Sequence, residues 1–313
     1  MTSESKRWSR LPQFHTRALS GSSGWQTVAV PGLAVNVIDI DDPEDPRVDD
    51  FRDLNSVDRR PDLPVLPGGR PGRGLVIAEG VLVAQRMIAS RFETHAFLGV
   101  AKRLDELDAD LRDPSLAGVP FYRATAEVMA EVVGFHLNRG VLAVSRRPSV
   151  LTVPDILDDA RTVAILEGVN DHENIGSIFR NAAGLGVDAV LFGQGCADPL
   201  YRRCVRVSMG HALLVPFARF DDWPRGLDLL RNQDFQLVSM TPDPDAVTLA
   251  EAVTAEKVGF LVGAEGPGLT ASAMAATDVK ARIPMSRGTD SLNVATAAAV
   301  AFYERARSGT MGE

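Results

Sequence analysis

Three short segments in the C-terminal half of this chain combine polar side chains with glycines. The first contains Asn174 and Arg180, the second is the glycine-rich stretch 263–269 around Glu265, and the third spans residues 283–295. Each segment follows an apolar run that is typical of a β-strand. Ligands of α/β proteins bind beyond the carboxyl ends of the strands, so we expect the three segments to line a binding site.

The first segment is predicted to open a helix, with Asn174 near its start. Arg180 lies six residues later, about 1.7 helical turns, so the two side chains are expected on different faces. Arg180 stands among Ile178, Phe179 and Ala182, and an arginine in so apolar a turn is unusual for a solvated surface residue. Two interpretations are open, a structural ion pair or a binding role.

The second and third segments carry weaker signals when taken singly. The glycines of 263–269 allow a sharp turn and a close approach of the backbone to a ligand. The stretch lacks both the G-x-G-x-x-G pattern of dinucleotide-binding folds and the G-K-[ST] ending of a P-loop, and a lone glycine-rich turn is more often only a turn. In the third segment, Asp290 or Ser291 is predicted to cap a helix that has Asn293 in its first turn.

The predicted elements around these segments alternate regularly. Strands are predicted at 163–166, 189–192, 213–217, 236–239, 259–262 and 281–284, and helices at 174–185, 224–231 and 291–307. Short apolar strands separated by helices indicate a mostly parallel sheet with both faces covered. This α/β domain is predicted to span residues 151–313.

The N-terminal part is predicted to hold a smaller α/β domain at 46–148. Strands are expected at 74–79, 95–100 and 140–145, and helices at 81–89 and 125–133, the second with Thr125 as its cap. An acidic, proline-containing run at 41–46 interrupts any regular element. Residues 1–45 are therefore predicted to be an extension, with a short strand at 35–40.

The charge of the chain restricts where a nucleic acid could bind. The formal net charge is −8, which argues mildly against general affinity for nucleic acid because phosphates attract lysine and arginine. Basic residues nevertheless cluster locally, although most charge runs are simply solvated surface. Five arginines are the candidates for an RNA-docking face: Arg70, Arg73, Arg202, Arg203 and Arg206.

Cysteine usage and hydropathy indicate a cytoplasmic protein. Cys196 and Cys204 cannot form a disulfide framework, and the five scattered histidines suggest no metal site. No stretch approaches the roughly 20 apolar residues of a transmembrane helix, and the N-terminus lacks the apolar core of a secretory signal. We expect no membrane contact and no metal.

Taken together, the three segments are similar to the three motifs of the SpoU/TrmH family of RNA 2′-O-methyltransferases. The pattern N-I-G-x-I-x-R-x-A begins at Asn174, G-x-E-G-x-G-L begins at Gly263, and I-P-M followed by S-L-N-V-A begins at Ile283. The resemblance covers about residues 151–308. The N-terminal domain more loosely resembles the family's L30-like RNA-binding domain, through L-V-I-A-E-G at 75–80 and N-R-G-V-L-A-V at 138–144.

The resemblance implies a fold, a cofactor and partners. It implies a deep trefoil knot in the C-terminal domain, a homodimer, S-adenosyl-L-methionine as cofactor, and tRNA or rRNA rather than DNA as substrate. By motif position, the cofactor-binding residues would be Gly263, Ala264, Ile283, Met285 and Leu292. Met240 and Thr241, which directly follow the strand predicted at 236–239, would close the other side of the pocket. The polar functional residues would be Asn174, Arg180, Glu265, Ser291 and Asn293.

The family proposal makes Arg180 the general base, but a guanidinium does not lose its proton in proteins. Our hypothesis is that Arg180 binds the phosphate next to the target ribose and positions the 2′-hydroxyl. Asn174 and Glu265 would orient Arg180. Ser291 and Asn293 would brace the loops or bind RNA.

The sequence alone leaves two other functions open. One is a non-catalytic RNA-binding or ribosome-assembly protein that keeps the fold. The other is a knotted enzyme that methylates a base. A base methyltransferase with a cysteine nucleophile is disfavoured, because neither Cys196 nor Cys204 lies in the three motifs.

Overall fold

The computed structural model describes residues 32–56, 58–65, 68–286 and 290–310. Residue contacts divide the chain into two compact units. The N-terminal unit holds the described residues up to Pro148 together with Leu200–Leu214, and the C-terminal unit holds Ser149–Pro199 and the described residues from Val215 onward. Most of the predicted extension, residues 1–31, lies outside the described residues.

The strands and helices are short and follow one another closely. The strands are β1 (Asn36–Asp39), β2 (Val76–Glu79), β3 (Thr94–Gly99), β4 (Pro120–Arg123), β5 (Val141–Ser145), β6 (Thr162–Glu167), β7 (Ala189–Phe192), β8 (Phe217–Arg219), β9 (Phe235–Met240), β10 (Val247–Thr248), β11 (Lys257–Gly263) and β12 (Val279–Arg282). The helices are α1 (Val81–Ile88), α2 (Ala101–Glu106), α3 (Ala126–Val133), α4 (Val153–Leu157), α5 (His172–Gly184), α6 (Arg202–Val207), α7 (Asp228–Arg231), α8 (Leu249–Ala252), α9 (Ala271–Ala275) and α10 (Val294–Thr310).

The N-terminal unit is built on a five-stranded sheet in the order β1-β4-β3-β5-β2. Strands β2 and β3 run antiparallel to β5, whereas β4 runs parallel to β1 and β3. Thr125 caps α3 as predicted, since its side chain accepts a hydrogen bond from the Val128 N–H. The predicted short strand at 35–40 is present as β1, but its pairing with β4 makes it part of the sheet rather than of an extension.

The C-terminal unit is built on a seven-stranded sheet in the order β10-β12-β9-β11-β6-β7-β8. All of its pairings are parallel, which confirms the predicted mostly parallel sheet. Every residue of β6 and β7 is buried. These strands therefore appear in the sequence as continuous apolar runs, because both faces of the sheet are covered.

Three predicted elements in the C-terminal half are shifted or wrong. Residues 213–217 were expected to form one strand, but His211–Leu213 is a 3-10 turn with a buried Leu213, and β8 begins only at Phe217. The strand expected at 281–284 lies two residues earlier, as β12. The last helix begins at Val294 rather than at residue 291.

Helix α10 packs against α5 through small side chains. Ala295, Ala298 and Ala301 are buried, and alanines permit the two helices to approach closely. The side-chain amide of Asn181 on α5 donates to the Ala295 carbonyl at 3.1 Å, which fixes the two helices against each other near the start of α10. Among the described residues, no helix has the length and hydropathy needed to cross a membrane.

Candidate functional site

The C-terminal unit contains a cavity of about 600 Å³. It lies beyond the carboxyl ends of β9, β11 and β12, beside the start of α10. A volume of this size is typical of a small-molecule site. All seven residues predicted to bind the cofactor line this cavity: Met240, Thr241, Gly263, Ala264, Ile283, Met285 and Leu292.

The glycine-rich turn 263–269 forms one wall of the cavity by folding back over the end of β11. The Gly268 N–H donates to the Ala264 carbonyl at 3.0 Å. A Cβ on Gly263 would lie 2.3 Å from the Gly268 carbonyl carbon and 2.3 Å from the Leu269 nitrogen. Only glycine fits at position 263, because the returning backbone occupies the space of a side chain.

Glu167 anchors the far end of this turn. It is the last residue of β6 and is 3 % exposed. Its carboxylate accepts hydrogen bonds from the Thr270 N–H at 2.8 Å, from the Thr270 hydroxyl at 2.9 Å and from the Trp223 indole N–H at 2.6 Å. Glu167 lies outside the three motif segments, although a carboxylate that ends an otherwise apolar strand is a signal for a buried anchoring group.

Three of the predicted polar residues meet in one hydrogen-bonded cluster, which we call the amide–carboxylate cluster. The Glu265 Oε1 atom accepts from Asn174 Nδ2 at 3.0 Å and from Asn293 Nδ2 at 2.7 Å. Asn293 Nδ2 also donates to Asn174 Oδ1 at 2.8 Å. Glu265 and Asn293 lie on the cavity wall, whereas Asn174 is buried behind them.

Asn293 also caps α10. Its Oδ1 atom accepts from the Ala295 N–H at 3.0 Å and from the Thr296 N–H at 3.2 Å. The predicted caps, Asp290 and Ser291, are therefore wrong, and Asn293 precedes the first turn instead of lying within it. The side-chain amide of Asn293 thus caps the N-terminus of α10 with its oxygen and donates to the amide–carboxylate cluster with its nitrogen.

Two substitutions separate these two roles of Asn293. Asn293→Ser keeps an oxygen that can cap the helix but cannot reach the cluster, whereas Asn293→Ala removes both functions. We expect the alanine variant to be less stable than the serine variant by about 1 kcal/mol, measured as the free energy of unfolding in urea. Equal stabilities of the two variants would show that Asn293 does not cap α10.

Arg180 lies apart from the cluster. It is exposed on α5, does not line the cavity, and makes no hydrogen bond or ion pair with a described residue. Our expectation that Asn174 and Glu265 orient Arg180 is therefore wrong for the single chain, because their polar groups bond to each other and to Asn293. Ser291 does line the cavity but makes no bracing hydrogen bond with a described residue.

Neither cysteine is placed to act as a nucleophile. Cys196 does not line the cavity, and its thiol donates to the Leu166 carbonyl at 3.3 Å. Burial raises the pKa of the Cys196 thiol, so the thiol stays protonated at neutral pH. Cys204 is buried in the N-terminal unit.

The five arginines predicted to face RNA all belong to the N-terminal unit. Arg202 differs from the others, because its guanidinium bonds to the buried Glu79 at 2.8 Å and to Asn55 at 3.1 Å, and its side chain is only 12 % exposed. It neutralises a buried carboxylate, so it is unsuited to contact RNA. Arg70, Arg73 and Arg203 are exposed, and Arg206 is half-buried.

Comparison with known proteins identifies relatives over most of the chain. Residues 161–303 match the SpoU rRNA Methylase family. An uncharacterized tRNA/rRNA methyltransferase of Mycobacterium tuberculosis H37Rv is 64 % identical over 278 residues, covering 88 % of this chain and 93 % of the relative. The 23S rRNA (guanosine-2′-O-)-methyltransferase RlmB of Bordetella pertussis is 28 % identical over 215 residues, covering 67 % of this chain and 87 % of the relative.

Solved structures share the fold. An AdoMet-bound rRNA methyltransferase from Sinorhizobium meliloti superposes with a TM-score of 0.69 at 21 % identity, covering 87 % of this chain and 98 % of that protein. The SpoU methyltransferase AviRb from Streptomyces viridochromogenes gives a TM-score of 0.65 at 22 % identity, covering 77 % of this chain and 91 % of that protein.

Proposed function

Since this chain belongs to the SpoU rRNA methylase family, we propose that it transfers a methyl group from S-adenosyl-L-methionine to a ribose 2′-hydroxyl of tRNA or rRNA. One observation carries the proposal. The seven residues assigned to the cofactor, five by motif position and Met240 and Thr241 by their place after a predicted strand, come from three separate stretches of sequence, and all of them line a single cavity.

The cavity fits the cofactor in size and in chemistry. Its volume of about 600 Å³ lies within the range of pockets that hold drug-sized ligands. Its apolar side chains, such as Met240, Ile283 and Leu292, suit an adenine ring, and the close approach of backbone at Gly263 presents peptide groups to a ligand. Glu265 adds a carboxylate to the wall. When bound, S-adenosyl-L-methionine supplies an electrophilic methyl group on a sulfonium ion.

Within the RNA, we propose that the methyl group is accepted by a ribose 2′-hydroxyl and not by a base. The RlmB relative is named as a guanosine-2′-O-methyltransferase, and the S-L-N-V-A motif with the upstream N-I-G and arginine pattern resembles the 2′-O branch of the family. In such a reaction the 2′-hydroxyl must be aligned with the methyl group and must lose its proton as it attacks. The knot and the L30-like character of the N-terminal unit belong to the same proposal and rest on the family resemblance.

Arg180 is proposed to bind the phosphate beside the target ribose. A guanidinium forms two parallel hydrogen bonds to a phosphate and fixes its orientation, while the phosphate shares the proton of the hydroxyl. Because Arg180 is exposed and does not line the cavity of its own chain, we propose that it acts at the cavity of a second copy in a homodimer. The amide–carboxylate cluster then holds the glycine-rich turn and the start of α10 in place.

A labelled-methyl transfer assay tests the proposed function. The full chain is incubated with S-adenosyl-L-methionine carrying a tritiated methyl group and with unmodified total tRNA or rRNA in separate reactions. We expect label in one of the two pools, which also identifies the substrate class. Cofactor binding without transfer to either pool contradicts RNA methylation of these pools, and absence of both binding and transfer favours a non-catalytic RNA-binding protein.

A further inference from the structure

The N-terminal unit contains a cleft of about 480 Å³ at one end of its sheet. Strands β2 and β3 run antiparallel to β5. At this end of the sheet β2 and β3 therefore begin and β5 ends. Side chains from four separate stretches line it, namely Asp50, Arg73, His95, Arg146 and Arg147. We call this feature the basic cleft.

Among the described residues that line the basic cleft, Asp50 carries the one carboxylate, and it is already paired within the protein. Asp50 Oδ2 bonds to His95 Nε2 at 3.0 Å, and Asp50 Oδ1 accepts from Arg73 Nη1 at 2.7 Å. These hydrogen bonds, first that of His95, lower the pKa of Asp50, so the carboxylate stays ionised. Three guanidinium groups against one carboxylate leave the cleft with an excess of positive charge.

The arginines of the cleft differ in how they are held. Arg147 forms part of the wall, since its Nε atom donates to the Gly74 carbonyl at 2.9 Å. Arg146 is exposed, and its guanidinium makes no hydrogen bond or ion pair with a described residue. The guanidinium groups of Arg147 and Arg146 therefore lie in one concave surface, which concentrates positive potential there. Guanidinium groups bind phosphate oxygens through charge-assisted hydrogen bonds.

We propose that the basic cleft binds a phosphodiester group of the substrate RNA. This inference rests on the proposed function, which supplies RNA as the partner. RNA is favoured over an acidic protein because the proposed reaction already brings this polyanion to the chain, whose net charge of −8 otherwise repels polyanions of either kind. Binding of RNA, with its closely spaced phosphates, to a protein of negative net charge depends on arginines that are clustered locally. The cleft therefore provides a contact for RNA beyond the target nucleotide.

Separate substitutions of two cleft arginines test this site in the full chain. Arg146→Gln and, separately, Arg73→Gln are compared with Arg225→Gln, a control in the C-terminal unit whose side chain is 86 % exposed. Binding of fluorescein-labelled total tRNA and rRNA fragments is measured by anisotropy at several salt concentrations. Each cleft variant is expected to bind the substrate pool about fivefold more weakly at 0.15 M salt, with the slope of log K against log salt reduced by about 0.7–0.9. The control is expected to match the wild type.

The possible results separate this proposal from the proposed function. Unchanged RNA affinity and salt slope in Arg146→Gln, with methyl transfer intact in the wild type, overturn the cleft and leave the function standing. A wild type that binds neither RNA pool overturns both. Binding of a labelled polyglutamate peptide is measured in parallel. If Arg146→Gln loses binding of this peptide while its RNA binding is unchanged, the cleft would be assigned to an acidic protein. Calorimetric binding of S-adenosyl-L-methionine and urea unfolding verify that each variant is folded.

Discussion

Gly263→Ala is expected to weaken cofactor binding about 5- to 150-fold. The added Cβ would lie 2.3 Å from the Gly268 carbonyl carbon and from the Leu269 nitrogen, a distance at which backbone must move. The turn 263–269 would shift away from the end of β11, taking part of the cavity wall with it. Overpacking of this kind costs about 1–3 kcal/mol, which as lost binding energy corresponds to about 5- to 150-fold weaker affinity.

A second glycine provides the matched control for Gly263→Ala. Gly184 lies near the end of α5, and a Cβ there meets no atom within 4 Å. Gly184→Ala is therefore expected to leave cofactor affinity unchanged and to stabilise the helix by about 0.5–1 kcal/mol. Isothermal titration calorimetry with S-adenosyl-L-methionine measures both variants. An affinity for Gly263→Ala equal to that of the wild type would contradict our placement of the cofactor.

Arg180→Lys is expected to reduce methyl transfer about 100-fold or more while cofactor binding stays unchanged. Arg180 is exposed and outside the cavity wall, so its loss leaves the cofactor pocket intact. A lysine keeps the charge but cannot reproduce the planar fork that holds a phosphate in one orientation. Misplacing the reacting hydroxyl by about 1 Å reduces the rate about 100-fold. The assay is single-turnover transfer to the RNA pool that the wild type labels, and near-normal turnover would refute the positioning role.

The same variant tests whether Arg180 serves the cavity of a second copy. Arg180→Lys and Gly263→Ala chains are mixed, dissociated and reassociated. In a mixed dimer one cavity is intact and faces a wild-type Arg180, so activity is expected to recover to about one quarter of the wild type by random pairing of two chain types. A mixture as inactive as its components would show that Arg180 acts within its own chain or that the chain does not form such dimers.

The core of the C-terminal unit could be predicted because burial determines the residue pattern of a parallel sheet. The strands β6, β7, β9 and β11 were all placed correctly from their apolar runs. The run 213–217 misled the prediction, since a buried 3-10 turn and a strand start have the same apolar composition. Strand β4 was not predicted because it is four residues long and begins with Pro120.

The candidate site was predictable in its parts but not in its connections. Motif spacing identified Asn174, Glu265 and Asn293, and helical periodicity correctly placed Asn174 and Arg180 on different faces of α5. Which groups bond to one another depends on tertiary contacts between residues 91 and 119 positions apart in the sequence. For the same reason the capping role of Asn293 and the anchoring role of Glu167 became visible only in the fold.

The position of the transferred methyl group on the RNA distinguishes ribose methylation from base methylation. RNA labelled by the enzyme is digested with alkali, which cleaves a phosphodiester only where the neighbouring 2′-hydroxyl is free. We expect the label to be recovered in alkali-resistant dinucleotides, because a 2′-O-methyl group blocks cleavage on its 3′ side. Label recovered entirely in mononucleotides would place the methyl group on a base and contradict the ribose as its acceptor.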